Sequence, residues 1–192
     1  MSAPRLTGKR LLDVAGAIVG LVLSIPLLLV TAALIRLFDG SPVLFWQRRL
    51  GRGWRPFLIL KFRTMTGGRV TRLGAVLRDL GVDELPQLVN VLCGDMSLVG
   101  PRPLTSADVV RLGWTHERFA GRWTVRPGLT GPAQLAPLGR CSARASWLLD
   151  RAYVRRCGVA TDLRILARSA LVPILGKRRL RQVGRLLAGR PA

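Results

Sequence analysis

The longest apolar stretch of the chain lies near its N-terminus. Residues 14–35 form a run of 22 residues without a charge, which is long enough to span a bilayer as a helix. Pro26 lies near the centre of this run, and a central proline that would break a helix in water kinks one in a membrane. The run is too long for a cleaved signal peptide, and no small-residue cleavage site follows it. The pattern therefore predicts a membrane-inserted helix.

Basic residues flank the apolar run on both sides. They are Lys9 and Arg10 before it, and Arg36, Arg48, Arg49 and Arg52 after it. The positive-inside rule accounts for only one cytoplasmic flank of a spanning helix, so two basic flanks favour a segment that enters the membrane and returns to the same face. Ser24 is close enough to Pro26 to bond a carbonyl that the proline leaves free. An ordinary kinked spanning helix stays an alternative.

Two short apolar, β-prone runs follow at 43–46 and 57–62, and a segment rich in arginine and glycine separates them. This arrangement predicts a short β-hairpin. Lys61 and Arg63 alternate with Phe62, so on a strand the two cations share one face. Two cations on one face suit a diphosphate, although such a pair taken alone is more often solvated surface.

After these β-prone runs, the spacing of the apolar residues changes to that of a helix. Apolar residues with the spacing of one helical face occur at Leu85, Leu88, Val89 and Leu92. Asp83, with Glu84 beside it, lies where an N-cap or first-turn residue of this helix is expected, Pro86 is tolerated in the first turn, and Gly94 is a suitable stop. Acids at a helix N-terminus lie beside free N–H groups and the positive end of the helix dipole, a setting that also receives phosphate. Simple helix capping is the alternative function of the pair.

Two rigid loops carry further cations. In Gly100-Pro101-Arg102-Pro103 the prolines Pro101 and Pro103 stiffen the backbone around Arg102, whose planar fork suits a phosphate or a nucleobase edge. The Pro- and Gly-containing loop 125–131 presents Arg126 to an anion. A short helix over 73–80 places Arg78 five residues before Asp83.

The rest of the chain predicts helices to which the sequence assigns no catalytic residues. A helix is expected over 105–123, with Val109, Val110, Leu112 and Phe119 facing inward, and another over 162–175. The basic segment 177–190 has apolar residues on one side, which suits an amphipathic helix on a membrane surface. A solvated tail is the alternative.

Composition narrows the class of protein. The 192 residues suit one compact domain plus a membrane segment. A formal charge of +21 combined with 49% hydrophobic residues indicates association with anionic lipid before nucleic acid, and no aromatic platform or nucleic-acid motif is visible. The three cysteines form no metal spacing or disulfide framework. The single histidine, His116, has no evident catalytic partner.

Five blocks of the chain together resemble the bacterial sugar transferase family, the small monotopic phosphoglycosyl transferases that start glycan assembly on a polyprenyl phosphate carrier. These blocks are Lys9-Arg10 with Asp13, 42–45 with Gln47, Arg49 and Gly51, 61–65, 83–103, and 126–131. Their shared order is far more specific than any one of them. The connector 66–72 is shorter than in typical relatives.

The resemblance implies a mechanism. Asp83 matches the family's nucleophile, which attacks the β-phosphate of a nucleoside-diphosphate sugar, usually a UDP-sugar, and then passes the phosphosugar to polyprenyl phosphate. Glu84 matches the acid associated with Mg²⁺. The residues expected to contact phosphate or nucleotide are Arg78, Lys61, Arg102 and Arg126, with Pro101 and Pro103.

The combined prediction is a mainly helical α+β protein at the bacterial inner membrane. Residues 1–38 form a re-entrant helix broken at Pro26, with both ends on the cytoplasmic face. Residues 39–175 form a small cytosolic catalytic domain with a hairpin and interfacial amphipathic helices, and residues 176–192 form a basic tail. A non-catalytic, membrane-anchored module of a glycan assembly system is the alternative function. A homodimer is left open.

Overall fold

The computed structural model describes residues 3–136 and 142–170, with side chains from Gly8 onward. The helices are α1 Ala3–Leu34, α2 Arg72–Leu80, α3 Gln87–Cys93, α4 Ser106–Arg111, α5 Pro132–Leu135, α6 Ala143–Arg156 and α7 Val159–Ser169. The strands are β1 Leu44–Leu50, β2 Pro56–Phe62, β3 Met65–Thr66, β4 Arg69–Val70, β5 Ser97–Val99 and β6 Gly128–Thr130. Short 3-10 helices cover Arg52–Trp54, Val82–Glu84 and Glu117–Thr124. The prediction of a mainly helical α+β fold is confirmed.

Helix α1 continues into a π-helical turn, Ile35–Asp39. From Gly8 to Asp39 it is long and apolar enough to cross a membrane, its most apolar part has a mean hydropathy of 2.7, and its exposed side chains are mostly aliphatic. This composition indicates membrane association. Pro26 lies inside α1, and the helix continues past this residue to Leu34. The helix therefore does not end at the position where the sequence predicted a break. Pro26 has no N–H, so the carbonyl of residue 22 loses its helical partner. Ser24 Oγ does not bond that carbonyl; it donates to the Leu21 carbonyl at 3.2 Å.

Both ends of α1 pack against the rest of the protein. In the N-terminal half of α1, Gly16 lets the helix approach so closely that an added Cβ would lie 2.6 Å from Leu98 Cδ1. Ala17 is fully buried in the main hydrophobic cluster. At the other end, Ile35 is fully buried with Phe62 and Leu77. The helix is therefore part of the folded domain as well as its apolar outer surface.

The predicted hairpin is confirmed. Strands β1 and β2 pair antiparallel from Leu44↔Phe62 to Leu50↔Pro56, so β1 extends through Arg48 and Arg49, which the sequence placed between the strands. Asn90 of α3 covers the free edge of β2, because its side chain accepts from Leu60 N at 3.0 Å and donates to Leu58 O at 2.7 Å. This contact fixes α3 against the hairpin.

The predicted helices over 73–80 and 85–92 are also present, as α2 and α3. Gly81, at φ 77°, ends α2 and begins the 3-10 helix Val82–Glu84. Helix α3 then starts at Gln87 and ends at Gly94, which has φ 90°. Both glycines adopt left-handed backbone that other residues rarely take. The predicted apolar face is wrong at Val89, which is 41% exposed.

A short parallel sheet joins the two proline-containing loops. Ser97 pairs with Gly128, and Val99 pairs with Thr130, so the predicted loop 125–131 contains strand β6. An added Cβ on Gly128 would lie 2.0 Å from Gly100 N. The two backbones can approach this closely only because glycine occupies both positions.

The predicted helix over 105–123 is wrong in its middle. Helix α4 ends at Arg111, and Gly113 at φ 66° separates it from the 3-10 helix Glu117–Thr124. Val109 and Phe119 are buried as expected, but Val110 is 70% exposed because the chain turns there. Helix α7 covers the described part of the segment predicted at 162–175. The tail 176–192 lies outside the described residues.

Candidate active site

A narrow cleft brings together residues that are distant in the sequence. Its lining residues are Arg49, Ile59, Lys61, Glu84, Gln87, Arg102, Pro103, Gly128, Leu129 and Gln134. They come from the hairpin, the 3-10 helix, α3, the proline loop, β6 and α5. Four of the predicted site residues, Lys61, Glu84, Arg102 and Pro103, are therefore in one place.

Two of the lining residues, Lys61 and Glu84, form an ion pair. Lys61 Nζ lies 2.9 Å from Glu84 Oε1, and both side chains are about one-fifth exposed, at 19% and 22%. Lys61 reaches this point because β2 is held against α3. The prediction that Arg63 accompanies it is wrong: β2 ends at Phe62, and the Arg63 guanidinium donates to the carbonyls of Asp39, Gly40 and Ser41.

Asp83 immediately precedes Glu84 in the 3-10 helix. Asp83 is buried, with 6% of its surface exposed. At this turn Glu84 is the acid that lines the cleft. The turn is closed by hydrogen bonds from Glu84 N to Gly81 O and from Leu85 N to Val82 O, each 3.2 Å. This backbone arrangement holds the two acids in the 3-10 helix before α3. The prediction that Asp83 is the N-cap or a first-turn residue of α3 is wrong, because Pro86 is its N-cap.

The Pro101-Arg102-Pro103 loop is held from two sides. Gly100 N donates to Thr130 O, and Gly128 N donates to Pro101 O, each at 2.9 Å. The Arg102 carbonyl accepts from the Arg122 guanidinium. Because the backbone is fixed, the exposed Arg102 side chain projects from a rigid support.

Arg49 is a cleft residue to which the sequence assigned no role. Its Nη1 donates to Pro103 O at 3.2 Å and lies 3.3 Å from Asp108 Oδ2. Burial lowers the pKa of Arg49, Arg102 lowers it further, and Asp108 and Glu84 act in the opposite direction. Arg49 therefore adds a partly desolvated positive charge to the cleft. Its position in one of the blocks that resemble the family was the sequence feature that could have identified it.

Two glutamines in the cleft were also missed. Gln87 is 2% exposed, and its Nε2 has no hydrogen-bond partner among the described residues. Gln134 Nε2 donates to Leu129 O at 3.1 Å, while its Oε1 has no partner among the described residues. A buried polar atom without a partner is costly and usually has a functional or solvent explanation. Gln87 could have been identified from the sequence because it is a polar residue on a largely apolar helix.

Two other predicted cations contact groups outside the cleft lining. Arg78 Nε donates to Thr64 Oγ1, and Arg126 Nε donates to Gly94 O, each at 2.7 Å. Burial lowers the pKa of Arg126, and Arg10 and Arg52 lower it further. The substrate contacts assigned to Arg78 and Arg126 stay predictions.

A buried polar network connects the start of α1 to the domain behind the cleft. Lys9 Nζ donates to Asp162 and to Val99 O, the latter at 3.0 Å. Asp13 Oδ1 accepts from Ser97 Oγ at 2.8 Å and from Leu98 N at 2.9 Å. These contacts fix β5, which leads directly into the proline loop.

Comparison with known proteins identifies the family. The family model for bacterial sugar transferases matches residues 4–176. The chain belongs to the bacterial sugar transferase family.

Curated members of the family include several enzymes similar to this chain. A UDP-glucose:undecaprenyl-phosphate glucose-1-phosphate transferase from Caulobacter vibrioides is 41% identical over 180 residues, covering 84% of this chain and 67% of the relative. The sugar transferase EpsL from Bacillus subtilis, described as uncharacterised, is 43% identical over 170 residues, covering 82% and 83%. An N-acetylgalactosaminephosphotransferase from Aeromonas hydrophila is 43% identical over 141 residues, covering 66% of this chain and 33% of the relative.

The class of enzyme predicted from the sequence is thereby confirmed: this sugar transferase is a phosphoglycosyl transferase. The cleft contains residues from four of the five blocks that resemble the family: Arg49, Lys61, the 84–103 segment, and Gly128 with Leu129. The fifth block, around Lys9, supplies the buried network behind β5.

Proposed function

We propose that this sugar transferase moves a phosphosugar from a nucleoside-diphosphate sugar to polyprenyl phosphate, giving a polyprenyl-diphospho-sugar as the first membrane step of glycan assembly. The Caulobacter relative is named for UDP-glucose and undecaprenyl phosphate, and the Aeromonas relative for UDP-N-acetylgalactosamine and undecaprenyl phosphate. These names favour a UDP-sugar as the donor and undecaprenyl phosphate as the acceptor.

One observation carries the proposal. The Lys61–Glu84 pair, at 2.9 Å, lies in a cleft that also contains the guanidinium groups of Arg49 and Arg102. Three cations around a single lining carboxylate create a positive site for a diphosphate. Asp83, the adjacent residue, supplies the second carboxylate at the same turn.

Asp83 is proposed as the nucleophile of a two-step displacement. In the first step a carboxylate oxygen of Asp83 forms a bond to the β-phosphorus, and the bond between that phosphorus and the bridging oxygen breaks, so that the nucleoside monophosphate leaves with the electron pair. In the second step a phosphate oxygen of the polyprenyl phosphate attacks the same phosphorus, and the bond to Asp83 breaks. The carboxylate is then restored, and one difficult displacement has become two.

Glu84 is proposed to hold Mg²⁺ together with the donor's phosphates. The described residues contain no group of three or more His, Cys, Asp or Glu side chains placed to hold a metal. Mg²⁺ is nevertheless often bound by one or two carboxylates plus substrate phosphates, and the carboxylates at positions 83 and 84 fit that arrangement. When bound, the ion would neutralise charge on the diphosphate and the leaving group.

The membrane arrangement is proposed to be re-entrant, with the catalytic domain on the cytoplasmic face. Lys9 bonds to Asp162 at one end of α1, while Ile35 packs with Phe62 at the other. Opposite ends of a spanning helix lie on opposite sides of a hydrocarbon layer about 30 Å thick. Contacts of both ends with one domain support a helix whose ends share a face.

Cysteine labelling tests this arrangement. In a background without native cysteines, Ser2→Cys and Arg36→Cys should both resist an impermeant maleimide added to intact spheroplasts, and both should react after lysis. Labelling of one site from outside would show a spanning helix.

The activity is tested by measuring nucleoside monophosphate release from a panel of UDP-sugars, with Mg²⁺ and undecaprenyl phosphate. Wild type should release UMP from at least one donor, and Asp83→Asn should release none above background while unfolding at the same temperature. Glu84→Gln should lose most activity and require more Mg²⁺. An unchanged metal titration would remove Glu84 from its role.

The non-catalytic membrane module predicts a different result. Folded, membrane-bound wild type would then release no nucleoside monophosphate from any donor. Normal turnover by Asp83→Asn would instead retain the enzyme and remove Asp83 as the nucleophile.

A further inference from the structure

A second cavity, about 170 Å³ in volume, lies between the 3-10 helix Glu117–Thr124 and α6. Its walls include Arg118, Arg122, Arg151, Arg155, Trp147 and Val154. None of its lining residues also lines the candidate active site. Because a cavity of about 150 Å³ accommodates a molecule such as benzene, this one has room for a small anionic group.

Aromatic rings hold two of the arginines in position. The Arg118 guanidinium lies 4.8 Å from the centre of the Phe119 ring, and that of Arg151 lies 5.3 Å from the centre of the Trp147 ring. These two rings contact each other edge to face, with centres 5.4 Å apart. Stacking on a ring leaves the N–H edge of a guanidinium available to an anion. The ring pair therefore brings two cationic groups to the same cavity before any ligand binds.

Three of the four arginines that line the cavity have no carboxylate partner among the described residues. Arg122 is already paired with a carboxylate, because its Nε donates to Asp150 Oδ2 at 2.8 Å. Among the described residues, Arg118, Arg151 and Arg155 form no ion pair, and the lining contains no acid. Arg151 and Arg155 are four residues apart on α6, where like charges repel. Such an arrangement is relieved by an anion between the side chains.

We propose that this cavity binds a phosphate group through Arg118, Arg151 and Arg155. The planar guanidinium donates two parallel hydrogen bonds to phosphate oxygens, so several of them can share one phosphate. The group belongs either to a soluble phosphate or to an anionic phospholipid. Both sources present the same chemistry to the cavity.

The test measures thermal unfolding of the full chain in phosphatidylcholine nanodiscs. The first arm adds inorganic phosphate, with sodium chloride at matched ionic strength to account for screening. The second arm replaces part of the lipid with phosphatidylglycerol. The cavity variant is Arg151→Gln/Arg155→Gln. Its matched control is Arg164→Gln/Arg168→Gln, which removes two exposed arginines at the same spacing from α7.

Wild type and the α7 control should be stabilised by inorganic phosphate or by phosphatidylglycerol, and the cavity variant should need at least tenfold more of the same compound for equal stabilisation. Arg118→Gln, on the other wall, should weaken the response independently of any effect on α6. A response to inorganic phosphate identifies a soluble ligand, and a response only to phosphatidylglycerol identifies a lipid headgroup. Equal responses of the two double variants, or no response in either arm, would overturn the proposal. Because donor turnover is not measured, the outcome is independent of the proposed reaction.

Discussion

Lys61 Nζ and Glu84 Oε1 lie 2.9 Å apart in the cleft of this sugar transferase. The two side chains come from β2 and from the turn before α3, and the Asn90 contact with β2 holds these elements together. Since both side chains remain about one-fifth exposed, the pair is reachable by a ligand. In the proposed reaction Glu84 therefore acts with a fixed cation beside it.

Lys61→Met should lower kcat/KM by about 10–100-fold, because it removes a cation next to the proposed diphosphate and leaves Glu84 without this partner. Lys61→Arg should retain more activity than Lys61→Met, since it keeps the charge. The measurement is UMP release over a range of donor and Mg²⁺ concentrations. Equal kcat/KM in wild type and Lys61→Met would show that this cation does not contribute to catalysis.

Arg63 supplies the matched control for Lys61. Its guanidinium donates to three carbonyls of the turn 39–41, so Arg63→Gln should lower the unfolding temperature and leave kcat/KM per folded molecule within about twofold. A selective loss of activity in Arg63→Gln would restore the prediction that the two cations act together.

Gly128→Ala should destabilise the protein by more than about 2 kcal/mol, since the added methyl group would lie 2.0 Å from Gly100 N and the neighbouring backbone cannot move away cheaply. Gly121→Ala is the control, because a Cβ there meets nothing within 4 Å and φ is not positive. Denaturant unfolding in detergent compares the two. Similar midpoints for both variants would contradict the close approach of β5 and β6.

Gln87→Met should change activity more than stability. The substitution keeps the approximate volume and removes an Nε2 that has no hydrogen-bond partner among the described residues. We expect an unfolding free energy within about 1 kcal/mol of wild type and a fall in kcat/KM of about tenfold or more. Unchanged kinetics across the donor panel would show that Gln87 makes no contact that matters in the transition state.

Local features of this fold were predictable from the sequence. The hairpin follows from its two apolar, β-prone runs, and α2 and α3 follow from the spacing of their apolar residues, with Gly94 as the stop residue of α3. Each of these elements depends on neighbours within a few positions. The strand β6 was not predictable in this way. Its partner is β5, about thirty residues earlier, and a three-residue strand carries too little pattern to be recognised alone.

Side-chain partners across long sequence separations were the least predictable part of the site. Lys61 and Arg63 have the same local pattern, yet one contacts Glu84 and the other contacts the turn 39–41, because β2 ends between them. Resemblance to the family supplied the acids and the proline loop. It gave no role to Gln134, whose Nε2 is held in the cleft by the Gly128 and Leu129 carbonyls of β6.

The buried pair of Lys9 and Asp162 gives a prediction about stability and pH. Lys9 is 7% exposed and Asp162 is fully buried. Lys9→Met should destabilise the protein by about 3–5 kcal/mol at pH 8, because it leaves a buried carboxylate without its cation. Lys9→Met/Asp162→Asn should regain at least half of this loss, since the second substitution removes the charge.

Acidic pH should have the same effect as the second substitution. Burial raises the pKa of Asp162 above its ordinary value of 3.8, although Lys9 and Tyr153 act in the opposite direction, and loss of Lys9 should raise it further. The ionised form of a carboxyl with a raised folded-state pKa is disfavoured by folding, so stability falls as the pH rises above the unfolded-state value. The destabilisation by Lys9→Met should therefore shrink between pH 8 and pH 5. A loss that stays constant over this range in Lys9→Met, or one that Asp162→Asn does not relieve, would mean that Lys9 stabilises the protein through packing and not through its charge.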